Sequence, residues 1–94
     1  MVFDRLLFRI HTIERMLGHE ITEVDVRDVL EGGEVIEEVR DEHRQIKRLY
    51  LHHVDSRPIH VVAIDNEEMQ CTVVITAYEP DLMRWEQGFR KRRR

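Results

Sequence analysis

The chain is expected to fold as one α+β domain, with two N-terminal helices packed on one face of a four-stranded, mainly antiparallel sheet and a short C-terminal helix. Three observations point there. Its 94 residues are too few to divide apolar surface between two stable cores. Apolar side chains recur at three- and four-residue steps before Gly32-Gly33 and at two-residue steps after it. Hydrophobic residues are 41% of the chain and charged ones 36%, with four Gly and two Pro, which favours a compact fold over disorder.

Helix one is predicted over about 3–17, because Phe3, Leu6, Leu7, Ile10, Ile13 and Leu17 line one face, and Gly18 ends it as a C-cap. Thr22 followed three residues later by Asp25 resembles a capping box, starting a helix over about 22–31 that stops at Gly32-Gly33. Strands follow at about 34–39, 48–54, 59–64 and 71–79. The charged stretch Arg40 to Lys47 separates the first two, Asp55-Ser56-Arg57-Pro58 signals a hairpin, and Asp65 to Gln70 turns again. Pro80 closes the sheet, and Asp81 to Phe89 suggests a short helix ahead of a basic tail at 90–94.

Strand alternation sorts the side chains into two faces. The odd side, with Leu49, Leu51, Ile59, Val61, Ala63, Val73, Ile75 and Ala77, suits the core under the helices. The even side collects Arg48, Tyr50, His52, His60, Thr76 and Tyr78. Across a three-residue turn, His52 and His60 would stand nearly opposite each other, with Tyr78 one strand over. Histidine titrates near neutral pH and tyrosine can pass a proton, so this face suits proton transfer; equally, half-exposed histidines on a solvated sheet need no function. No carboxylate or Cys shares the face, so no metal site and no cofactor are expected. His11 and Arg15, four apart on helix one, could hold a phosphate or simply form a boundary pair near Glu14 and Glu20.

Charge and motifs exclude several classes. Fifteen Lys+Arg against nineteen Asp+Glu give a net charge of −4, which argues against coating nucleic acid by bulk charge. Five cations close the chain, Arg90, Lys91, Arg92, Arg93 and Arg94, able to attract RNA or an acidic protein through screened charge, or to fray in solvent. Truncating that tail is expected to leave thermal stability nearly unchanged. There is no Gly-rich phosphate loop, nucleophile elbow, HExxH or paired-thiol motif, so ATP use, hydrolase triads and zincin chemistry find no support. The apolar runs are too short to span a membrane, Asp4 and Arg5 interrupt any signal-like run, and the single Cys71 suits the reducing cytoplasm.

Five pieces of the chain occur in an order that resembles the domain of unknown function family 4258: His11-Thr12-Ile13-Glu14-Arg15-Met16, Ile21-Thr22-Glu23-Val24-Asp25-Val26, Gly33-Glu34-Val35-Ile36-Glu37-Glu38, Arg57-Pro58-Ile59-His60-Val61-Val62 and Thr76-Ala77-Tyr78-Glu79-Pro80. Trp85 and the Arg-rich end extend the likeness. That family is similar in fold class to the RelE-like and MqsR-like mRNA interferases, and its members often look like toxins beside a small zinc-finger antitoxin. The resemblance implies a metal-independent endoribonuclease of a toxin–antitoxin system, with RNA and such an antitoxin as partners. It makes His11, Arg15, His60 and Tyr78 the candidate catalytic set: His60 the base, His11 or Tyr78 the acid, Arg15 the cation. Arg84 joins Arg90, Lys91, Arg92, Arg93 and Arg94 as RNA-binding candidates. His52 is not part of the pattern. The rival expectation is a non-catalytic interaction module of the same fold.

Overall fold

A computed structural model describes residues 2–94. Among them the order is β1 (Leu6–Phe8), α1 (Ile10–Gly18), α2 (Glu23–Gly32), β2 (Glu34–Arg40), β3 (Ile46–Val54), β4 (Arg57–Asn66) and β5 (Cys71–Tyr78). The sheet is five-stranded and mixed, in the order β1-β5-β4-β3-β2, with β1 parallel to β5. This corrects the expected four-stranded, mainly antiparallel sheet, and no C-terminal helix forms among the described residues. No helix is long and apolar enough to cross a membrane among those residues.

The extra strand comes from the stretch read as the start of helix one. Leu6, Leu7 and Phe8 pair with Thr72, Val73 and Val74, and Thr72 donates its N–H to the Arg5 carbonyl at 2.8 Å. Arg9, extended at φ −83° and ψ 156°, then turns the chain into α1. The buried residues of this helix are Thr12 and Met16, four apart, whereas Ile10, Ile13 and Leu17 remain exposed. The Thr12 hydroxyl donates to the Ile75 carbonyl at 2.7 Å, which fastens α1 to β5 beyond the end of β1.

The end of α1 is a Schellman motif. Ile21 N–H reaches the Met16 carbonyl at 2.8 Å and Glu20 N–H reaches that of Leu17 at 3.2 Å, with Glu20 left-handed at φ 56°. The left-handed residue is therefore Glu20, and Gly18 is the last residue of the helix proper. Helix α2 opens on a true capping box: Asp25 N–H donates to Thr22 Oγ1 at 3.1 Å and Thr22 N–H to Asp25 Oδ2 at 2.9 Å. Beyond α2, a Cβ on Gly33 would lie 2.5 Å from the Val29 carbonyl oxygen and 2.7 Å from that of Leu51. Only glycine fits where the chain swings into β2.

Register follows from the β3–β4 hairpin. Asp55 and Ser56 both have positive φ, 52° and 66°, and Val54 pairs with Arg57, as in a two-residue type I′ turn. Odd positions of β3 therefore face even positions of β4: Tyr50 pairs with Val61, Leu51 with His60 and His52 with Ile59. The expected faces are corrected accordingly. Tyr50 and His52 lie on the helix side, Leu49 and Leu51 on the side of His60, and the His52–His60 pair does not form. Across β4–β5, His60 pairs with Tyr78, Val61 with Ala77 and Val62 with Thr76, after which a bulge at Ile75 shifts the ladder.

The main core lies between sheet and helices, where Met16, Ile21, Val26 and Val29 meet Tyr50, Ile59, Val61 and Val74. The other face is roofed by the C-terminal segment. It turns at Asp81, whose Oδ1 accepts the N–H groups of Met83 and Arg84 at 3.0 Å each, but Gly88 and Phe89 adopt positive φ of 91° and 61°, incompatible with the expected helix. The segment instead crosses the sheet and bridges Trp85 to Arg92.

Candidate functional site: a tyrosine–histidine pair beside an arginine cleft

β5 ends at Tyr78, and the chain reverses through the buried Pro80. A cleft of about 380 Å³ opens there, lined by Arg15, His19, Tyr78, Glu79, Pro80, Asp81, Arg84, Trp85 and Arg92. Its walls come from α1 and its C-cap, the end of β5 and the C-terminal segment. α1 brings Arg15, whose guanidinium carbon sits 4.7 Å from the Tyr78 ring centroid, a cation–π contact. The C-terminal segment brings Trp85, with Arg92 stacked 4.7 Å from its ring.

Behind Tyr78 lies His60, with 0% of its surface exposed. Its Nε2 is 2.9 Å from the Phe89 carbonyl oxygen and its Nδ1 3.2 Å from the Tyr78 hydroxyl. A carbonyl can only accept, so Nε2 carries the proton and Nδ1 accepts from the phenol. The imidazole also meets Trp85 edge-on, with ring centroids 4.4 Å apart. Burial holds the His60 pKa below its ordinary value, partly offset by the bond to Phe89. Burial likewise raises that of the Tyr78 phenol, against the pull of Arg92 and Arg15. At neutral pH the pair is a phenol donating to a neutral imidazole, a connected chain from the cleft to a backbone carbonyl.

The cations differ in how far they are committed. Arg92 makes two bonds to Glu37, at 2.9 and 3.0 Å, and that carboxylate raises its pKa. Arg84 stands at the exposed rim, 3.3 Å from Asp81. Arg15 has no ion-pair partner among the described residues, which leaves its charge available to an anion.

Of the residues expected from sequence, Arg15, Tyr78 and His60 converge here, with Arg84 at the rim. His11 is one turn earlier on α1, exposed and outside the cleft. Arg90 pairs with Glu34, and Arg93 N–H donates to the Arg84 carbonyl at 2.8 Å, so these two are fixed; Lys91 and Arg94 are exposed. His52 lies on the opposite side of the sheet, against Gly32 at the end of α2.

Four participants escaped the sequence reading as site residues: His19, Trp85, Arg92 as a fixed contact, and the Phe89 carbonyl. His19 closes α1 and accepts the Glu79 N–H on Nδ1 at 3.4 Å. Arg57 holds this corner by donating to the carbonyls of His19 and Glu20 at 3.3 and 3.0 Å. Trp85 and Arg92 had left a sequence signal, through the family likeness and the basic tail, whereas nothing in the sequence marked His19 or the Phe89 carbonyl.

Fold and site together define a small mixed α+β domain with a tyrosine–histidine pair at the edge of a basic cleft. The chain belongs to the family described as Domain of unknown function (DUF4258), which matches residues 8–79. The match includes Arg15, His60 and Tyr78 and ends at Glu79, so Trp85, Phe89 and Arg92 are supplied from beyond it. No curated protein and no solved structure matches the chain.

Proposed function

We propose that the chain binds RNA in the Arg15–Tyr78 cleft and cleaves it without a metal, through attack of the RNA's own 2′-hydroxyl on the adjacent phosphate. The observation that carries this reading is the hydrogen-bonded path from Tyr78 through His60 to Phe89, opening beside an arginine with no carboxylate partner. Arg15 holds the phosphate and stabilises the charge that grows on its oxygens. As the phenol oxygen of Tyr78 takes the 2′-hydroxyl proton, the phenol's own proton passes to His60 Nδ1. The imidazolium keeps its Nε2–H bond to Phe89. The 2′-oxygen bonds to phosphorus, the bond to the 5′-oxygen breaks, and the proton returns along the same path to that leaving oxygen. A 2′,3′-cyclic phosphate and a 5′-hydroxyl result. Because burial disfavours a charged His60, the imidazolium is short-lived and returns its proton readily. His11 has no part in this scheme.

The sequence motifs are those of the domain of unknown function family, and the similarity drawn between that family and the mRNA interferases is what supports RNA as substrate, a toxin role in the cytoplasm and a small zinc-finger antitoxin as partner. A neighbouring reading frame encoding a small Cys-rich protein favours that role. One observation favours a second reading, a non-catalytic interaction module: His60 is wholly enclosed with both nitrogens engaged, as a latch for the C-terminal segment requires. The deciding experiment incubates labelled RNA with the purified chain in EDTA, beside the same RNA carrying a 2′-deoxy nucleotide at the cut site. Cleavage of the first alone, leaving cyclic phosphate ends, is expected. Arg15→Ala should slow it, with Arg15→Lys restoring part of the rate because the charge returns without the fork. No cleavage in EDTA or with added divalent metal, with or without ribosomes, leaves the interaction module in its place.

A further inference from the structure

Helix α1 carries an apolar stripe that the core does not use. Ile10, Ile13 and Leu17 have the spacing of a buried face, yet they are 78%, 45% and 72% exposed. Val24, in the first turn of α2 just past the α1–α2 connection, is 68% exposed. Isolated apolar side chains on a surface need no explanation, but three aligned along one helix form a ridge suited to the apolar face of another helix. By helical spacing, Arg15 stands on the opposite flank of α1, so this ridge is separate from the cleft.

Charge selects what covers it. Glu14, Glu20, Glu23, Asp28 and Glu31 belong to the helical layer, and none has an ion-pair partner among the described residues. The arginines within the two helices are directed away from the ridge, Arg15 over Tyr78 on the opposite flank and Arg27 donating to the Asp4 carbonyl at 2.8 Å, and Arg9 at the N-cap of α1 is a single cation set against those five carboxylates. Nucleic acid and anionic membranes are repelled by such a surface. A second copy docked on the ridge about a two-fold axis would bring the same acids together, Glu14 beside the contact on each side. A cationic amphipathic helix meets both demands, with apolar side chains on Ile10, Ile13 and Leu17 and Lys or Arg toward the carboxylates.

We infer that the outer ridge of α1, together with the neighbouring acidic α2, is the docking surface for a basic amphipathic helix of another protein. The probe is a labelled synthetic peptide of about 18 residues, long enough for five turns, with Leu on one face and Lys on the other. A Leu/Glu peptide of the same pattern and a Lys/Ser peptide of the same charge are the controls. In fluorescence anisotropy against the full chain, the Leu/Lys peptide should bind, the Leu/Glu peptide should not, and the Lys/Ser peptide should bind about tenfold more weakly or worse. Ile10→Ser with Leu17→Ser should weaken the Leu/Lys peptide by about the same factor at an unchanged melting temperature, since both side chains are exposed. Absence of binding, or equal binding by the double variant or by the Lys/Ser peptide, overturns the inference. So does a dimer in sedimentation that the double variant dissolves, which gives the ridge to a second copy.

Discussion

His60 shows how far one residue's role depends on what covers it. On alternation alone it belongs to the solvated face, and its removal should spare the core. The structure roofs it with Trp85 and engages both nitrogens. His60→Ala is therefore expected to cost about 2–4 kcal/mol, from the lost packing and the two partners left unsatisfied, read as a lower melting temperature. Its titration adds a pH signature. The folded pKa lies below the ordinary value of 6.5, so the unfolded chain binds the extra proton first. The stability this residue contributes is complete above pH 6.5 and is lost as pH falls toward the folded pKa. Melting of the wild type between pH 7.5 and 5 should fall more steeply than that of His60→Gln; parallel slopes would show that His60 titrates freely. Thr76, on the same face, has a buried hydroxyl with no partner among the described residues. Thr76→Val should raise stability by about 1 kcal/mol, measured by denaturant midpoint.

At the level of elements, legibility tracked locality. The capping box Thr22/Asp25 was readable because both halves lie within four residues, and the period-2 pattern correctly brought His60 and Tyr78 to one face. β1 was not readable: its hydrogen bonds come from β5, at the far end of the chain, while its apolar residues also fit the helical spacing of the residues that follow. The hairpin misled for another reason. Pro58 reads as a turn residue, but it lies within β4 opposite His53, and the true turn is Asp55-Ser56. That one-residue difference moved every side chain of β3 to the other face. Ser56, at φ 66°, occupies a position that favours glycine. Ser56→Gly should therefore stabilise the protein by about 0.5 kcal/mol, the relief of left-handed strain less glycine's greater entropy loss. A destabilised variant in thermal melts would contradict a type I′ turn.

Across the whole molecule, the C-terminal segment joins β5 to β2 and completes the site, and its path was the least legible feature. Asp81 to Phe89 has helical spacing and Arg90 to Arg94 looks like a solvated tail. What fixes them is distant: Glu34 and Glu37 on β2 accept from Arg90 and Arg92, and His60 Nε2 donates to the Phe89 carbonyl. The exposed ion pairs add little. Removing residues 89–94 should nevertheless cost about 2–3 kcal/mol, because it leaves buried His60 Nε2 unpaired and uncovers Trp85; an unchanged melting temperature would mean the segment is only draped on the sheet. Helical spacing left Arg15 open between a phosphate site and a boundary pair, strand alternation put Tyr78 on the face of His60, and the family likeness named both as candidates, but the cleft between them exists only once this segment has landed. The proposed cleavage depends most on Tyr78 acting at that cleft with His60 behind it. The most direct measurement is single-turnover cleavage of labelled RNA in EDTA by wild type and by Tyr78→Phe, each checked by thermal melting. Loss of the hydroxyl should slow cleavage by about 10²–10⁴-fold, the usual contribution of a positioned acid–base group, with the fold retained. Cleavage by Tyr78→Phe at the wild-type rate would contradict it.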